Sequence, residues 1–316
     1  MISEFELIDK IRSGISLPDG YVGIGDDCAH LPESGSYRTL VSTDMLLENV
    51  HFLRKVRADL TGWKAAVANI SDIAACGGSP KGIFLSLALP RDLEDAWVLV
   101  FLDGFKKACA EYSFPILGGD TCESAGKIGI SVTVLGQCPD GRAVSRSGAR
   151  DGDEICVTGT LGDSAAGLGI LLKSENNPDY GNYFIQRHLC PRPRLAEGLA
   201  LSESGLVNAM MDISDGIGSD LRHILAESHC GAIVDTARIP VSENLRLLCA
   251  GNRVRILDYA ISGGEDYELL FVKKAGASLP VAHTVIGRIV SGDSLVWKGT
   301  DRKYKGYNHF SDEKVF

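Results

Sequence analysis

The sequence predicts an α/β protein with two domains. Its 316 residues are enough for a sizeable core and for two domains. Apolar runs of strand length alternate with segments of helical periodicity along most of the chain. A polar segment that includes Asp140-Gly141 and Gly148, residues 138–153, divides the chain near its middle. We therefore expect an N-terminal domain over residues 1–140 and a C-terminal domain over residues 150–316.

Composition excludes several classes of protein. A net charge of −9 argues against a nucleic-acid surface, which needs clustered Lys and Arg. The longest apolar runs, such as residues 83–89, are too short to span a bilayer, and the N-terminus has no pattern of a secretory signal. Nine cysteines without a Cys-x-x-Cys pair favour reduced thiols in a cytoplasmic protein over a zinc site or a disulfide framework.

The N-terminal elements begin with a short amphipathic helix over residues 3–14. The turn at residues 23–27 follows, and its glycines precede Asp26 and Asp27. Adjacent residues of an extended chain point in opposite directions, so one of this pair is expected to face a site. A solvated turn is the alternative.

Residues 40–44 are predicted to form a strand that ends in the oxygen-bearing side chains of Ser42, Thr43 and Asp44. His51 follows after a short loop, and a lone histidine is more often structural than catalytic. A helix over residues 60–75, with Thr61 as its N-cap, carries Asp72 in an apolar setting. A carboxylate there is costly to bury unless it is paired or binds a metal.

A strand at residues 83–89 and a helix at residues 93–112 come next. The strand at 115–117 is predicted to end at Gly118-Gly119-Asp120, where a ligand can approach the backbone beside a carboxylate. Alternating apolar residues from 128 to 134 indicate a half-buried strand. Arg146, in the turn between the domains, either meets a phosphate or is an ordinary surface charge.

The C-terminal half opens with a strand at residues 154–158 and a glycine-rich turn at 159–164. The turn precedes a helix at 165–172, and such a helix N-terminus suits an anion, although no Walker A motif occurs in the chain. Another helix is expected at residues 195–204. Residues 262–268, which include Glu265, place acidic and aromatic side chains between two glycines and a strand.

The stretch from residue 207 to 225 combines a strand, a turn with two acids and a helix. Ile217, Leu221, Ile224 and Leu225 share one helical face, and Ser214 or Asp215 is expected to cap the helix. Asp212 and Asp215 can converge on one hard cation at this turn. The alternative is a capped helix with a solvated aspartate.

Two short matches suggest related halves. Ile-Ser-Asp ends at residues 72 and 215, a separation of 215 − 72 = 143. Gly-Gly followed by an acid starts at residues 118 and 263, a separation of 263 − 118 = 145. Chance competes with the hypothesis of an internal repeat.

Six aspartates lie within two residues of a Gly, Ser or Thr, without a matching set of His and Cys; they are Asp27, Asp44, Asp72, Asp120, Asp212 and Asp215. Hard oxygen ligands indicate Mg²⁺ and not zinc. If the acids converge, several cations are needed to offset their repulsion. Several Mg²⁺ ions beside glycine-rich turns favour nucleotide phosphates and phosphoryl transfer.

The motifs, taken in order, resemble those of the thiamine-monophosphate kinase family. They are Gly23-Ile24-Gly25-Asp26-Asp27, Ser42-Thr43-Asp44, Asn49-Val50-His51-Phe52, Asn69-Ile70-Ser71-Asp72, Gly118-Gly119-Asp120-Thr121, Arg146-Ser147-Gly148-Ala149, Asp212-Ile213-Ser214-Asp215-Gly216 and Ser262-Gly263-Gly264-Glu265-Asp266-Tyr267-Glu268-Leu269. The match runs from about residue 20 to Lys305-Gly306-Tyr307. Each motif is weak alone, whereas eight in order are specific.

The resemblance implies the aminoimidazole ribonucleotide synthetase-like fold, α/β (α+β) in two domains, whose N-terminal domain pairs strands across a homodimer. It implies ATP-dependent phosphorylation of thiamine monophosphate, the final step of thiamine diphosphate biosynthesis, with several Mg²⁺ ions. The implied Mg²⁺ positions are Asp27, Ser42, Thr43, Asp44, Asp72, Asp120, Asp212 and Asp215. The implied ATP contacts are Gly119, Asp120, Arg146 and Ser214, and the implied thiamine monophosphate contacts are His51, Glu265 and Tyr307.

No single general base is expected, because the acceptor phosphate is already largely anionic near neutral pH. Glu265 and Tyr307 suit a cationic thiazolium and a pyrimidine ring. Two alternatives stay open. One is another ATP-using enzyme of the same superfamily that forms a phosphorylated intermediate, and the other is a non-catalytic metal- or nucleotide-binding protein.

Overall fold

The computed structural model describes residues 4–13, 15–32, 35–174 and 178–307. Each half of the chain builds its own β-sheet, and each sheet has its own apolar core. The predicted two-domain α/β fold is confirmed, whereas the limits 1–140 and 150–316 stay a prediction. Among the described residues, no helix is long and apolar enough to cross a membrane.

The N-terminal sheet has five strands in the order β1-β2-β5-β3-β4. All neighbours are antiparallel except β3 and β4. Helix α2 lies against the sheet, and α3 packs on α2. The bounds are α1 Glu4–Arg12, β1 Ala29–Pro32, β2 Tyr37–Leu47, α2 Ala58–Ala75, β3 Ser79–Pro90, α3 Asp95–Glu111, β4 Ile116–Ser124 and β5 Gly129–Pro139.

The C-terminal sheet has six strands in the order β11-β8-β10-β6-β9-β7, with β11 and β8 parallel and the others antiparallel. The bounds of its strands are β6 Glu154–Val157, β7 Val207–Asp212, β8 Gly231–Asp235, β9 Leu269–Lys273, β10 Thr284–Val290 and β11 Leu295–Lys298. Its helices are α4 Asp163–Lys173, α5 Tyr183–Leu189, α6 Leu195–Ser204, α7 Ile217–Ser228, α8 Glu243–Leu248 and α9 Arg253–Ser262.

Helix α2 connects the two domains. Apart from Asp59 and Asp72, its residues are buried, and it contacts α5, α6 and β7 of the C-terminal domain as well as β2 and β5 of its own. Close approach depends on Gly198 of α6, since a Cβ there would lie 2.1 Å from the carbonyl oxygen of Ala74. A larger residue at 198 would therefore push α6 away from α2.

Periodicity predicted the core-facing residues correctly. Ile217, Leu221, Ile224 and Leu225 are all buried in α7, and the alternating apolar residues from 128 to 134 are all buried in or beside β5. Burying each such side chain stabilises the fold by roughly 1.5–3 kcal/mol.

Several local predictions are wrong. Strands β2 and β4 continue past Asp44 and Asp120, because β5 and β3 offer backbone partners along their whole length. Neither Thr61 nor Ser214 or Asp215 caps a helix: the N-caps of α2 and α7 are Arg57 and Gly216, without a side-chain cap bond.

The internal repeat is also wrong as a structural statement. Asp72 lies inside a helix, whereas Asp215 lies in the loop before α7. Gly118-Gly119 lies inside strand β4, whereas Gly263 is the C-cap of α9. The matched triplets therefore occupy different kinds of element.

Candidate active site

Three carboxylates meet where the domains face each other. Asp27 precedes β1, Asp72 lies in α2 and Asp212 ends β7. One oxygen of each lies within 4.8 Å of the others. Asp27 and Asp212 are buried and Asp72 is half-buried. Hard oxygens at this spacing, drawn from both domains, are a donor set suited to divalent cations such as Mg²⁺.

Two serines hold these acids in place. Ser42 Oγ on β2 donates to Asp72 Oδ2. Ser71 Oγ on α2 donates to Asp212 Oδ2 at 2.6 Å. A hydroxyl that donates to a carboxylate offsets part of its desolvation, so each serine orients an acid and lowers the cost of burying it.

The cluster carries more negative charge than the metal-free site stabilises. Burial and then the charge of Asp27 raise the pKa of Asp212 to about 7. Burial and the neighbouring carboxylates, Asp44 first, raise the pKa of Asp72 well above its ordinary value. Burial and Asp27 also raise the pKa of Asp44. Asp44 therefore shares the electrostatic environment of the three acids, and a divalent cation would offset this repulsion.

Arg146 is the cation beside this cluster. Its guanidinium donates to Asp27 Oδ1 at 2.7 Å, and its backbone N–H donates to Asp26 Oδ1 at 3.2 Å. Burial and then the charge of Asp27 raise the pKa of Asp26 to about 7. Arg146 Nε is buried and has no hydrogen-bond partner among the residues that the structure describes. The predicted ATP contact of Arg146 stays a prediction, and the pair with Asp27 places it beside the acids.

Strand β2 divides the Ser42-Thr43-Asp44 motif between two faces of the sheet. The side chains of Ser42 and Asp44 lie on the inner face of the sheet, the same face as those of Leu40 and Leu46. The Thr43 side chain lies on the outer face, where its Oγ1 donates to the backbone carbonyl of Val132. The structure therefore brings Ser42 and Asp44 to the cluster and leaves the Thr43 hydroxyl outside it.

Gly119 and Asp120 lie apart from the cluster within one chain. They belong to β4, the exposed edge strand, and Asp120 Oδ1 accepts from the adjacent Thr121 N–H. The register places Gly119 three strands from Asp44, about 14 Å across the sheet. Packing alone requires a glycine at position 119, because a Cβ there would lie 1.7 Å from the Leu85 carbonyl oxygen. Both assignments stay predictions.

The loop before α7 contains Ser214, a predicted ATP contact, and the acidic residue Asp215. Ser214 and Asp215 are half-buried there, and the Asp215 carbonyl accepts from Tyr307 N–H at 3.0 Å. Asp220, one turn further on, is buried, and sequence reasoning assigned it no role. Burial and then Asp215 and Asp212 raise the pKa of Asp220 well above its ordinary value. The sequence signal that could have indicated a role for Asp220 was its position five residues after Asp215, in the first turn of the predicted helix.

Of the predicted acceptor residues, His51 and Glu265 are neighbours, and Tyr307 is joined to the loop before α7. His51 Nδ1 accepts from Leu47 N–H at 3.0 Å, which fixes the imidazole. Burial raises the pKa of Glu265, whereas Lys64, His188 and His51 lower it, so His51 lies near Glu265. Tyr307 is 40% exposed and is held to the Asp215 loop through its backbone. Residues 308–316 of the tail lie outside the described residues.

Two residues that the sequence analysis missed bind Glu265. Lys64 Nζ on α2 lies 2.7 Å from Glu265 Oε1, and His188 Nδ1 on α5 lies 3.3 Å from Glu265 Oε2. Burial alone would raise the pKa of Glu265, but its charged and polar neighbours, Lys64 first, together lower that pKa. Glu265 is therefore ionised and fixed between the domains.

The glycine-rich turn at 159–164 binds a carboxyl side chain of the protein itself. Asp266 is buried and accepts from Gly162 N–H at 2.7 Å and from Ser164 N–H at 3.2 Å, at the start of α4. Glu268 accepts from Arg194 Nε at 2.6 Å and from the Thr158 hydroxyl at 2.7 Å. Two of the three acids in residues 265–268 thus hold the C-terminal fold, and the interpretation of the turn as a ligand site is replaced.

Comparison with known proteins agrees with this architecture. Residues 25–138 match the family model described as AIR synthase related protein, N-terminal domain, and residues 150–298 match its C-terminal domain. The chain belongs to this family of two-domain proteins. It is 40% identical over 312 residues to a thiamine-monophosphate kinase of Aquifex aeolicus (strain VF5), covering 98% of both chains. It is 39% identical over 328 residues to that of Escherichia coli (strain K12), again covering 98% of both.

A solved structure described as AaThiL complexed with AMPPCP and TMP superimposes with a TM-score of 0.89. It is 40% identical, and the match covers 98% of this chain and 97% of that one. Within the AIR synthase related proteins, the chain belongs to the thiamine-monophosphate kinase family.

Proposed function

We propose that this protein transfers the γ-phosphoryl group of ATP to thiamine monophosphate, giving thiamine diphosphate and ADP, the final step of thiamine diphosphate biosynthesis. The observation that carries the proposal is the cluster of Asp27, Asp72 and Asp212, which joins acids of both domains within 4.8 Å. Membership of the thiamine-monophosphate kinase family supports the choice of acceptor.

The residues fit several Mg²⁺ ions. Asp27, Asp72 and Asp212 would hold them, with Asp44 beside them and Ser42 and Ser71 orienting the carboxylates. At these residues Mg²⁺ would supply charge neutralisation for the phosphoryl group transferred from ATP to the acceptor. We call the acid cluster the phosphate end of the site, because the phosphates are expected to bind there. Arg146, next to Asp27, would add a further positive charge at the phosphate end.

The acceptor needs no general base. A phosphate monoester is largely dianionic near neutral pH, since its second pKa is about 6. The barrier is the approach of two polyanions, so positioning and charge neutralisation supply the catalysis. The chain supplies positioning through α2, whose Ser71 and Asp72 belong to the phosphate end and whose Lys64 holds Glu265.

The test is phosphoryl transfer from γ-labelled ATP with Mg²⁺, offering thiamine and thiamine monophosphate separately. We expect label in thiamine diphosphate, and only when the monophosphate is offered. Label on thiamine would overturn the choice of acceptor. Transfer to neither, with ATP binding intact, would favour another ATP-using reaction of the same superfamily.

His51→Ala is expected to raise KM for thiamine monophosphate on the order of tenfold, with a smaller change in kcat. The reason is that the ring, held by Leu47 N–H, lies beside Glu265 and outside the acid cluster. The loss of one directed polar contact to a charged ligand corresponds to about that factor. Steady-state kinetics in both substrates measure it. An unchanged KM with abolished turnover would contradict this assignment.

The protein is further proposed to form a homodimer through the outer face of the N-terminal sheet. This face exposes large apolar side chains of three strands: Met45, Leu47, Phe84 and Leu117, the last lying over Gly82 of the neighbouring strand. A contiguous apolar patch on a sheet marks an interface. The opposite face is covered by α2. We also propose that strands of the two N-terminal sheets pair across this dimer.

Leu117→Asp is expected to convert the dimer to a monomer, because a carboxylate would be buried against apolar side chains of the partner. Leu117 is 50% exposed in one chain. Leu247→Asp is the matched control, since Leu247 is 69% exposed on α8, away from this face. Light scattering after size exclusion gives the mass. A wild-type monomer, or a dimer that survives Leu117→Asp, would contradict the proposed interface.

The cytoplasm is the proposed location. All nine cysteines are free thiols, and most of them are buried among apolar residues. Reduced thiols of this kind are typical of a reducing compartment.

A further inference from the structure

Lys64 is a buried ammonium that does not belong to the acid cluster. It lies on α2 of the N-terminal domain with 2% of its side chain exposed. Its Nζ contacts Glu265 Oε1 of the C-terminal domain at 2.7 Å. A lysine is almost never buried unless it is paired, so this contact needs a structural or a functional explanation.

The surroundings of Glu265 show that Lys64 is the cation that balances it. His188 is also buried, and its Nδ1 lies 3.3 Å from Glu265 Oε2 and 3.1 Å from Ser164 Oγ. Burial and then the charge of Lys64 lower the pKa of His188 to about 3, so the imidazole is neutral. His51, in the loop after β2, also lies near Glu265.

The backbone that presents Glu265 is held in a conformation that most residues avoid. Glu265 has φ of 62° and Tyr267 has φ of 50°, both in the left-handed region. Glu265 N–H donates to the Ser214 carbonyl at 2.7 Å, and Tyr267 N–H donates to the Ile213 carbonyl at 3.0 Å. Such strain costs on the order of 1 kcal/mol or more per residue and occurs where a side chain must be placed accurately.

One face of α2 connects Glu265 with the acid cluster. Lys64 and Ser71 are seven residues apart, which is two helical turns and roughly 10 Å along the axis. Lys64 binds Glu265 and Ser71 donates to Asp212. A single rigid helix of the N-terminal domain therefore sets both the position of Glu265 and that of a phosphate-end carboxylate.

We propose that Lys64 is a positioning residue for the acceptor: through its contact with Glu265 it keeps that carboxylate charged and oriented for thiamine monophosphate, with no role in nucleotide binding. The inference rests on the proposed function. Because the Lys64–Glu265 pair is neutral overall, Glu265 recognises the acceptor by directed hydrogen bonding and not as an unbalanced negative charge. This refines the expectation that Glu265 is a counter-ion for the thiazolium.

Lys64→Met tests the proposal, because Met keeps most of the length of the side chain and removes the charge. KM for thiamine monophosphate is expected to rise on the order of tenfold, the factor that corresponds to one charged hydrogen bond. KM for ATP is expected to stay within about twofold, since α2 still places Ser71 and Asp72. Thermal unfolding is measured on the same samples.

Lys273→Met is the matched control. Lys273 on β9 is also buried, and its Nζ binds Glu154 Oε2 and the carbonyl of Ala277, outside the candidate site. We expect Lys273→Met to lower Tm as much as Lys64→Met does while both KM values stay at the wild-type level. A Lys64→Met protein with wild-type KM for thiamine monophosphate and a lowered Tm would show that the pair is structural only, and would overturn the proposal.

The double variant Lys64→Met with Glu265→Gln keeps the test decisive if Lys64→Met fails to fold, since no unpaired buried charge remains. Its KM for thiamine monophosphate is expected to equal that of Glu265→Gln alone. A further tenfold rise would mean that Lys64 acts independently of Glu265, which would overturn the proposal. Absence of wild-type transfer to thiamine monophosphate would instead overturn the proposed function.

Discussion

Asp212→Asn is expected to lower kcat on the order of a thousandfold, because Asp212 is the acid that the C-terminal domain contributes to the three-carboxylate cluster. Neutralising it removes a proposed cation ligand and would weaken the charge neutralisation on which phosphoryl transfer depends. A loss of several kcal/mol of transition-state stabilisation corresponds to about three orders of magnitude. The measurement is steady-state kinetics with both substrates at saturation, over a range of Mg²⁺ concentration.

The substitution should leave the fold intact. Asn can still accept a hydrogen bond from Ser71 Oγ, and one like charge is removed from a buried group. Asp153→Asn is the control, since Asp153 is also buried and accepts from Arg150 N–H and Asn208 outside the site. Asp153→Asn should keep wild-type kcat. Retention of more than about a tenth of kcat in Asp212→Asn would contradict a catalytic role for the cluster.

The second large effect is on stability. The metal-free protein is expected to lose stability between about pH 4 and pH 7, and Mg²⁺ is expected to raise Tm more at pH 8 than at pH 6. The pKa values of Asp26 and Asp212 are raised to about 7 by burial and by Asp27. The folded state therefore keeps protons that the unfolded state releases above about pH 4, and stability falls as pH rises through this window.

Mg²⁺ reverses this effect at the cluster, because a bound cation competes with the protons and favours the ionised acids. Asp266 has a pKa raised to about 7 by burial, but it binds backbone amides, so its share of the pH dependence remains with Mg²⁺. Thermal unfolding at both pH values, with EDTA or with Mg²⁺, measures the difference, expected to be on the order of 5 °C. An equal Mg²⁺ effect at both pH values, or the same effect in Asp212→Asn, would contradict the metal assignment.

Elements with strong hydrophobic periodicity could be predicted from the sequence alone. Helix α7 and strand β5 follow directly from the spacing of their apolar residues, and both have the predicted residues buried. The motif order identified the family. The short strands and helices from residue 231 to 298, such as β8 and α8, were not predicted, because four to six residues do not establish a period.

Failures arose where a residue's role depends on a distant partner. Asp44 was placed at a strand end, but β5 pairs with β2 throughout, and Asp44 reaches the cluster from the middle of a strand. Lys64 received no role from the sequence, because a single lysine in a helix normally faces solvent and only the fold places Glu265 beside it.

The acids of residues 265–268 show the same limit. Three acidic side chains in one short motif suggested a ligand site, yet Asp266 and Glu268 bind the α4 N-terminus and Arg194. Glu265 faces the candidate site, whereas Asp266 and Glu268 face the interior of the C-terminal domain. Chain composition does not reveal which carboxylate faces which side, because that depends on the left-handed conformations of Glu265 and Tyr267.

The central claim is that the carboxylates of Asp27, Asp72 and Asp212 together hold the cations that act in phosphoryl transfer. The most direct measurement is anomalous diffraction from crystals grown with Mn²⁺, a non-hydrolysable ATP analogue and thiamine monophosphate, since Mn²⁺ takes the same oxygen ligands as Mg²⁺. We predict anomalous peaks about 2 Å from an oxygen of each of the three acids, between the two sets of phosphates. Peaks bound only by phosphate oxygens, with the three acids unligated, would contradict the account.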